Sequence, residues 1–277
     1  MSIDRYVVMG NPIAHSRSPI IHRLFATQTG QQLSYETLLV PLDGFARALT
    51  EFARAGGKGA NVTVPFKEEA WREMTTRTER AARAQAVNTI ILRDDGMRFG
   101  DNTDGVGLVR DLSDNLRVNL QGKRILLLGA GGAARGVLEP LLAAAPKQLT
   151  IANRTADKAS ALAAAFGDLG TVTGHGFDKL RSQQFDIVIN ATAASLQGEV
   201  PPLPNDIVAS NGCCYDMMYG KAPTPFMQWA QQCGVTQTFD GLGMLVEQAA
   251  EAFLLWRGAM PKTAPVITEL RRLMIAQ

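Results

Sequence analysis

A chain of 277 residues can bury roughly 70–75% of its unfolded surface, enough for two modest cores or one large one, which excludes hormone-sized, zinc-finger-sized and rod-like architectures. Hydrophobic residues at 46% and charged residues at 19% describe a globular chain rather than a disordered one. The 28 basic and 26 acidic residues leave a formal charge of +2, too small to imply a nucleic-acid or anionic-membrane partner, though a local excess of donors still suits a small acidic ligand. Cys213, Cys214 and Cys233 are odd in number, lack a CxxC pair and have only His15, His22 and His175 beside them, so neither a disulfide framework nor a zinc cluster is expected, and the compartment reads as reducing. The N-terminal MSIDRYVVMG has no signal-peptide apolar core, and no run approaches 18 apolar residues; a cytoplasmic location without membrane contact is the expectation.

In chain order, Arg5–Gly10 reads as a strand, and SPIIHRLFATQTG as a helix with Ser18 as cap, Pro19 in the first turn and Gly30 as stop. Leu33–Val40 follows as a strand, Leu42–Ala55 as an amphipathic helix, and Ala60–Val62 as a strand halted by Pro65. This β-α-β-α-β order argues for an α/β domain with a largely parallel sheet. Lys67–Arg83 reads as a charged helical surface, AVNTIIL with DDGM as a strand entering a hairpin, and a further helix runs from near Asn102–Asp104 to about Leu116. From Lys123 onward, KRILLLGAGGAARGVLEPLLAAAPKQLTIANRT reads as strand, glycine turn, helix and strand. FDIVIN, GCCYDMMY and VTQTFDG supply later strands, and two helices, GLGMLVEQAAEAFLLWRG and PVITELRRLMIA, remain without a strand to pair behind them.

The glycine turn carries chemistry because of its context. Gly129-Ala130-Gly131-Gly132-Ala133-Ala134 follows an apolar strand and opens a helix, so Gly129 suits the turn, Gly131 lets a pyrophosphate approach the backbone, and Ala134 permits close helix–strand packing. A dinucleotide is expected, against the plainer reading of a structural βα turn. At the end of LTIAN no Asp or Glu stands ready for a ribose 2′-hydroxyl. Asn153-Arg154-Thr155, with Lys158 beyond, offers donors to a 2′-phosphate instead, which favours NADP over NAD.

Four polar clusters end predicted elements: Ser16/Ser18, Asn61/Thr63/Lys67, Asn88 and Asn102/Asp104. Each has a bland alternative as a cap, turn lock or solvated side chain. Reducing a carbonyl requires a proton donor as alkoxide charge develops, and Lys67 paired with Asp104 can fill that role, with His15 as a weak reserve. Met217 and Tyr219 could face a nicotinamide and a substrate or could simply be core, and Gln248 shares that ambiguity. Cys213 and Cys214 have no activating neighbour and read as small buried hydrophobes.

Taken together, GNPIAHSRSPIIH (10–22), GANVTVPFK (59–67), AVNTI (87–91), DNTDG (101–105), GAGGAAR (129–135), NRT (153–155), NAT (190–192), YDMMY (215–219), PTPF (223–226) and DGLGMLVEQAA (240–250) resemble the shikimate dehydrogenase family, in order and over essentially the whole chain. The resemblance implies a two-domain α/β fold: a Rossmann-like NADP domain, residues 103–236, inserted into a smaller, mostly parallel α/β substrate domain of residues 1–102 plus 237–277, with the cleft between them. It implies NADPH-dependent, reversible reduction of 3-dehydroshikimate to shikimate in aromatic amino-acid biosynthesis. Lys67 and Asp104 would be the catalytic pair, Ser16 and Ser18 would hold the substrate carboxylate, Thr63, Asn88 and Gln248 would meet its other polar atoms, and Tyr219 would close the site. Gly129, Ala130, Gly131, Gly132, Ala133 and Arg135 would hold the pyrophosphate, Asn153, Arg154, Thr155 and Lys158 the 2′-phosphate side, and Thr192, Met217, Gly241 and Met244 the nicotinamide end. No metal is implied, the partner is a small molecule, and the assembly would be a monomer or homodimer.

Two positions depart from the family pattern: Ala193 stands where Ser is frequent, and Ala222 where Gly is frequent before PTPF, with Ser195-Leu196-Gln197-Gly198 partly restoring the usual loop. The nearest competing function is a quinate/shikimate dehydrogenase of broader substrate or NAD preference. A non-enzymatic dinucleotide sensor would have little need of Lys67 and Asp104, and a nucleic-acid protein would need a basic stripe.

Overall fold

The computed structural model describes residues 3–276. Contacts divide the chain into two compact units, one of residues 1–107 and 246–268 and one of residues 108–245 and 269–277. Among the described residues no helix is long and apolar enough to cross a membrane.

The first unit contains β1 (Asp4–Gly10), α1 (Ser18–Thr29), β2 (Leu33–Leu39), α2 (Phe45–Arg54), β3 (Gly57–Val62), α3 (Lys67–Arg72), β4 (Thr76–Arg77), α4 (Glu79–Ala84), β5 (Thr89–Leu92) and β6 (Arg98–Asp101). Its six-stranded sheet runs β2-β1-β3-β5-β6-β4, parallel in β2-β1-β3 and in β6-β4, antiparallel where β5 joins β3 to β6. The DDGM hairpin explains the antiparallel β5–β6 pair, since a short turn can only return the chain antiparallel. Met9, Ala60, Val62 and Ile90 from the strands pack on Phe45, Leu49 and Phe66 of the helical side.

Several local expectations change here. Ser18 is not the cap of α1: the helix is capped at Arg17 without a side-chain bond, Ser18 is its first residue, and the Ser16 hydroxyl accepts the Ser18 N–H at 3.3 Å. Lys67–Arg83 is not one helix. It breaks into α3, β4 and α4, because Thr78 adopts extended backbone and its side chain accepts from the Ala81 N–H, starting a new helix.

In α5 (Asp104–Arg110) the helix expected to reach Leu116 passes into a π-turn at Asp111–Asn115. The second unit then holds β7 (Arg124–Leu128), α6 (Gly132–Ala143), β8 (Gln148–Ala152), α7 (Ala156–Phe166), β9 (Val172–His175), β10 (Phe185–Asn190), β11 (Val208–Asp216), α8 (Pro225–Gln232) and β12 (Gln237–Asp240). Every strand pairing is parallel, in the order β12-β11-β10-β7-β8-β9. Renumbered within the unit this is the 3-2-1-4-5-6 order of a dinucleotide-binding sheet, with its switch point between β7 and β10. Central β7 is an unbroken apolar run because both faces are covered: Ile125 and Leu127 join one core, Leu126 and Leu128 the other. The stretch Val172–His175 is the edge strand β9.

The chain ends in α9 (Leu242–Arg257) and α10 (Ala264–Ile275). The two compact units do not divide at residue 237. β12 pairs with β11, so 237–245 group with the second unit, as do 269–277, where Arg271 binds Asp240 through both terminal nitrogens at 2.8 and 2.6 Å.

Candidate active site

In the first unit the register of β3, β5 and β6 brings residues far apart in sequence to one place. The Lys67 ammonium, at the start of α3, lies 2.5 Å from Asp104 Oδ2 at the start of α5. Asn88, buried just before β5, donates from Nδ2 to Asp104 Oδ1 at 2.8 Å and to Thr103 Oγ1 at 3.0 Å, while its Oδ1 accepts the Thr103 N–H at 2.9 Å. Gln248 of α9 brings Oε1 within 3.4 Å of the same Asn88 amide. The Asp104 N–H is taken by Asn102 Oδ1 at 3.2 Å, so the residue is held from three sides before any ligand arrives. Asp101 in turn is gripped by Arg80 at 2.7 and 2.5 Å and by Thr78 at 2.6 Å, which anchors the strand end that presents Asp104.

Behind this pair runs a second buried chain. Tyr35 Oη donates to Asn61 Oδ1 at 2.7 Å; Asn61 Nδ2 donates to Thr89 Oγ1 at 3.1 Å, which donates to Asn88 Oδ1 at 2.9 Å. Ser18 hydrogen-bonds the Tyr35 phenol, whose burial raises its pKa well above the ordinary value and keeps it a donor. Ser16, Thr63 and Lys67 are half-buried and Ser18 is buried. His15 is exposed and takes no part in the Lys67–Asp104 arrangement.

The second unit gathers polar residues at the carboxyl ends of its strands. Gly129 follows β7 with φ +106°, and a Cβ there would sit 3.2 Å from both the Ala191 carbonyl oxygen and the Thr192 side chain. Gly131 and Gly132 are exposed at the start of the 12-residue helix α6, and a Cβ at either would meet nothing within 4 Å. That open space before a helix N-terminus fits a pyrophosphate. After β8, Arg154 and Lys158 are exposed and, among the described residues, neither has a carboxylate within ion-pair distance, whereas Asn153 Nδ2 folds back to the Thr155 carbonyl at 3.0 Å. Two cations outside any ion pair, with no acid at the strand end itself, fit a 2′-phosphate.

Asp216 organises the other side, and sequence reasoning gave it no role. Its fully buried carboxylate accepts from Thr224 Oγ1 at 2.6 Å, Ser195 Oγ at 2.7 Å, and the Asn190 amide and Met218 N–H at 3.1 Å each. Burial raises its pKa above the ordinary value even against these four hydrogen bonds. Asn190 Oδ1 also accepts from Thr192 Oγ1 at 2.7 Å, so the loops carrying Thr192 and Met217 are tied to one centre. Ala222 is not among the residues with positive φ, which explains why its methyl is tolerated. Gly241 is buried where a Cβ would stand 2.2 Å from the Met217 carbonyl oxygen; Met244 is buried and Tyr219 half-buried. Burial pushes the Cys213 thiol up to about 11 and Cys214 higher still, as inert core thiols require.

Family models match three stretches of the chain: a shikimate dehydrogenase substrate binding domain over residues 8–90, shikimate / quinate 5-dehydrogenase over 111–197, and a shikimate 5′-dehydrogenase C-terminal domain over 241–271. The chain belongs to the shikimate dehydrogenase family. It is 60% identical over 274 residues, 99% of each chain, to a shikimate dehydrogenase (NADP(+)) of Dechloromonas aromatica (strain RCB). Among solved structures it is similar to an Ael1 enzyme from Pseudomonas putida, 46% identical with a TM-score of 0.90 over 96% of this chain and 98% of that one. It also resembles a Thermus thermophilus shikimate 5-dehydrogenase in complex with NADP(H) and shikimate, 34% identical with a TM-score of 0.86 over 98% and 99%.

Proposed function

We propose that this shikimate dehydrogenase catalyses the NADP-dependent, reversible reduction of 3-dehydroshikimate to shikimate, with Lys67 and Asp104 as the catalytic pair. The observation that carries the assignment is the 2.5 Å contact between Lys67 Nζ and an Asp104 carboxylate already oriented by Asn88. When bound, NADPH supplies the hydride that the substrate carbonyl carbon receives. Lys67 donates a proton to the carbonyl oxygen, so the product oxygen becomes a hydroxyl and the neutral amine is reprotonated from solvent, which reaches its 25%-exposed side chain. Asp104 holds the ammonium in place and aligns the hydroxyl on the neighbouring substrate carbon. Ser16 and Ser18 are assigned to the substrate carboxylate, Thr63, Asn88 and Gln248 to its other polar atoms, and Tyr219 to closure.

For the cofactor, Gly129 to Gly132, Ala133 and Arg135 would hold the pyrophosphate. Asn153, Arg154, Thr155 and Lys158 would hold the 2′-phosphate side, and Thr192, Met217, Gly241 and Met244 the nicotinamide end.

Positioned proton transfer is worth roughly 10²–10⁴ in rate. Lys67→Ala is therefore expected to lose most of kcat while binding NADPH, followed by fluorescence, as the wild type does. Asp104→Ala should lose kcat and raise the shikimate KM. Near-wild-type kcat in Lys67→Ala would remove lysine from the mechanism, and a wild type inactive with shikimate and NADP⁺ would remove the function.

A further inference from the structure

The segment 217–220, which follows β11 and carries both Met217 and Tyr219, is fastened at three points within the second unit. At its start the Met217 N–H bonds the Asn190 carbonyl at 2.9 Å and the Met218 N–H bonds Asp216 at 3.1 Å. In its middle the Gly241 N–H donates to the Met218 carbonyl at 3.0 Å, and the missing Gly241 side chain lets the two backbones touch. At its end the Gly220 carbonyl accepts from Arg271 Nη1 at 3.3 Å.

Arg271 comes from α10, some fifty residues further along, and the same guanidinium grips Asp240 in a two-pronged pair at 2.8 and 2.6 Å. Asp240 Oδ1 also accepts the Leu242 N–H at 3.3 Å, capping α9. One side chain therefore ties the end of the segment to the end of β12 and the start of α9, the two elements that flank Gly241. Asp240 is nearly buried, with a 9%-exposed side chain, so the pair is sheltered on the acidic side.

We propose that Arg271 is a positioning residue for the reaction, setting the backbone that presents Met217 and Tyr219 without touching substrate or cofactor itself. The assignment rests on the proposed roles of those two residues. A lysine can neutralise Asp240 but cannot span its two oxygens and the Gly220 carbonyl together, because it lacks the planar fork.

The test compares wild type, Arg271→Ala and Arg271→Lys, assayed with shikimate and NADP⁺, and uses 2′,5′-ADP as an inhibitor that occupies the adenosine and 2′-phosphate region alone. Arg271→Ala is expected to lose about tenfold in kcat/KM for shikimate. Its inhibition by 2′,5′-ADP should stay within about twofold of wild type, because Arg154 and its neighbours lie elsewhere in the unit. Arg271→Lys should recover only part of the loss, and millimolar guanidinium should restore part of the Arg271→Ala activity. Wild-type kinetics in Arg271→Ala would overturn the proposal. So would a parallel loss of 2′,5′-ADP inhibition, which would mean general loosening of the unit. If Arg271→Ala does not fold, Asp240→Asn keeps a helix-capping side chain, removes the charge that orients the guanidinium, and is held to the same two outcomes. A wild type inactive with shikimate would overturn the proposed function and this proposal with it, whereas an active wild type with unaltered variants overturns the Arg271 assignment alone.

Discussion

His22 shows how far a single residue can depart from its local pattern. It sits on α1 with both ring nitrogens buried, stacked on Tyr35 at 4.1 Å and 8° and flanked by Phe253 and Trp256. Burial lowers its pKa from 6.5 to about 3, against a weaker opposing pull from Asn61, because a charged imidazolium has no water there. The unfolded chain takes up a proton as pH falls through 6.5, while the folded protein does not until about 3. Stability attributable to this residue is therefore complete above roughly pH 6.5 and declines below it, by about 1.4 kcal/mol per pH unit. Urea unfolding at about pH 7, 6 and 5 should show this slope in the wild type and a shallower one in His22→Leu; equal slopes would contradict a neutral buried histidine. The exposed His15, which the sequence offered as a reserve acid, has no comparable environment.

At the scale of elements, two glycines assigned to the cofactor carry opposite expectations. Gly131 has φ −90° and open space around its Cβ position, so Gly131→Ala should fold with a stability change within about 0.5 kcal/mol yet raise the NADP⁺ KM, its methyl entering the space proposed for the pyrophosphate. Gly241→Ala places a methyl 2.2 Å from the Met217 carbonyl oxygen, backbone that cannot swing aside, and should cost about 1–3 kcal/mol in thermal or urea unfolding. The reverse ranking would mean that the segment 217–220 yields easily. The glycine turn was legible because strand, turn and helix occupy one short window. Gly241 was legible only as part of a motif, since its reason is a strand end brought beside β11 by pairing. The break in Lys67–Arg83 was missed for the same reason: Thr76 and Arg77 pair with Phe99 and Gly100, and no charge pattern within the segment announces that partner.

For the molecule as a whole, a ligand bound only by the folded state stabilises it by mass action, about 2.7 kcal/mol at one hundred times its Kd. NADP⁺ should therefore raise the melting temperature, and NAD⁺ at equal concentration should raise it less. In Arg154→Ala the NADP⁺ KM should rise about tenfold or more while NAD⁺ kinetics change little, shrinking the NADP⁺ stabilisation by about 1.4 kcal/mol. Equal shifts from both nucleotides in the wild type would remove the 2′-phosphate assignment.

The sequence by itself determined the α/β class, the apolar strands of both sheets, the glycine turn and the absence of an acid at the end of β8, because each is written in hydrophobic period or turn chemistry over a few residues. Motif order then carried the family. Only the tertiary structure decided which polar groups meet. Lys67 reaches Asp104 across 37 residues, Arg271 reaches Asp240 across 31, and Tyr215 donates to the buried Asp111 at 2.7 Å across 104. Such pairs depend on strand order and register, which are set by how whole faces bury against one another, and a local window holds no record of that.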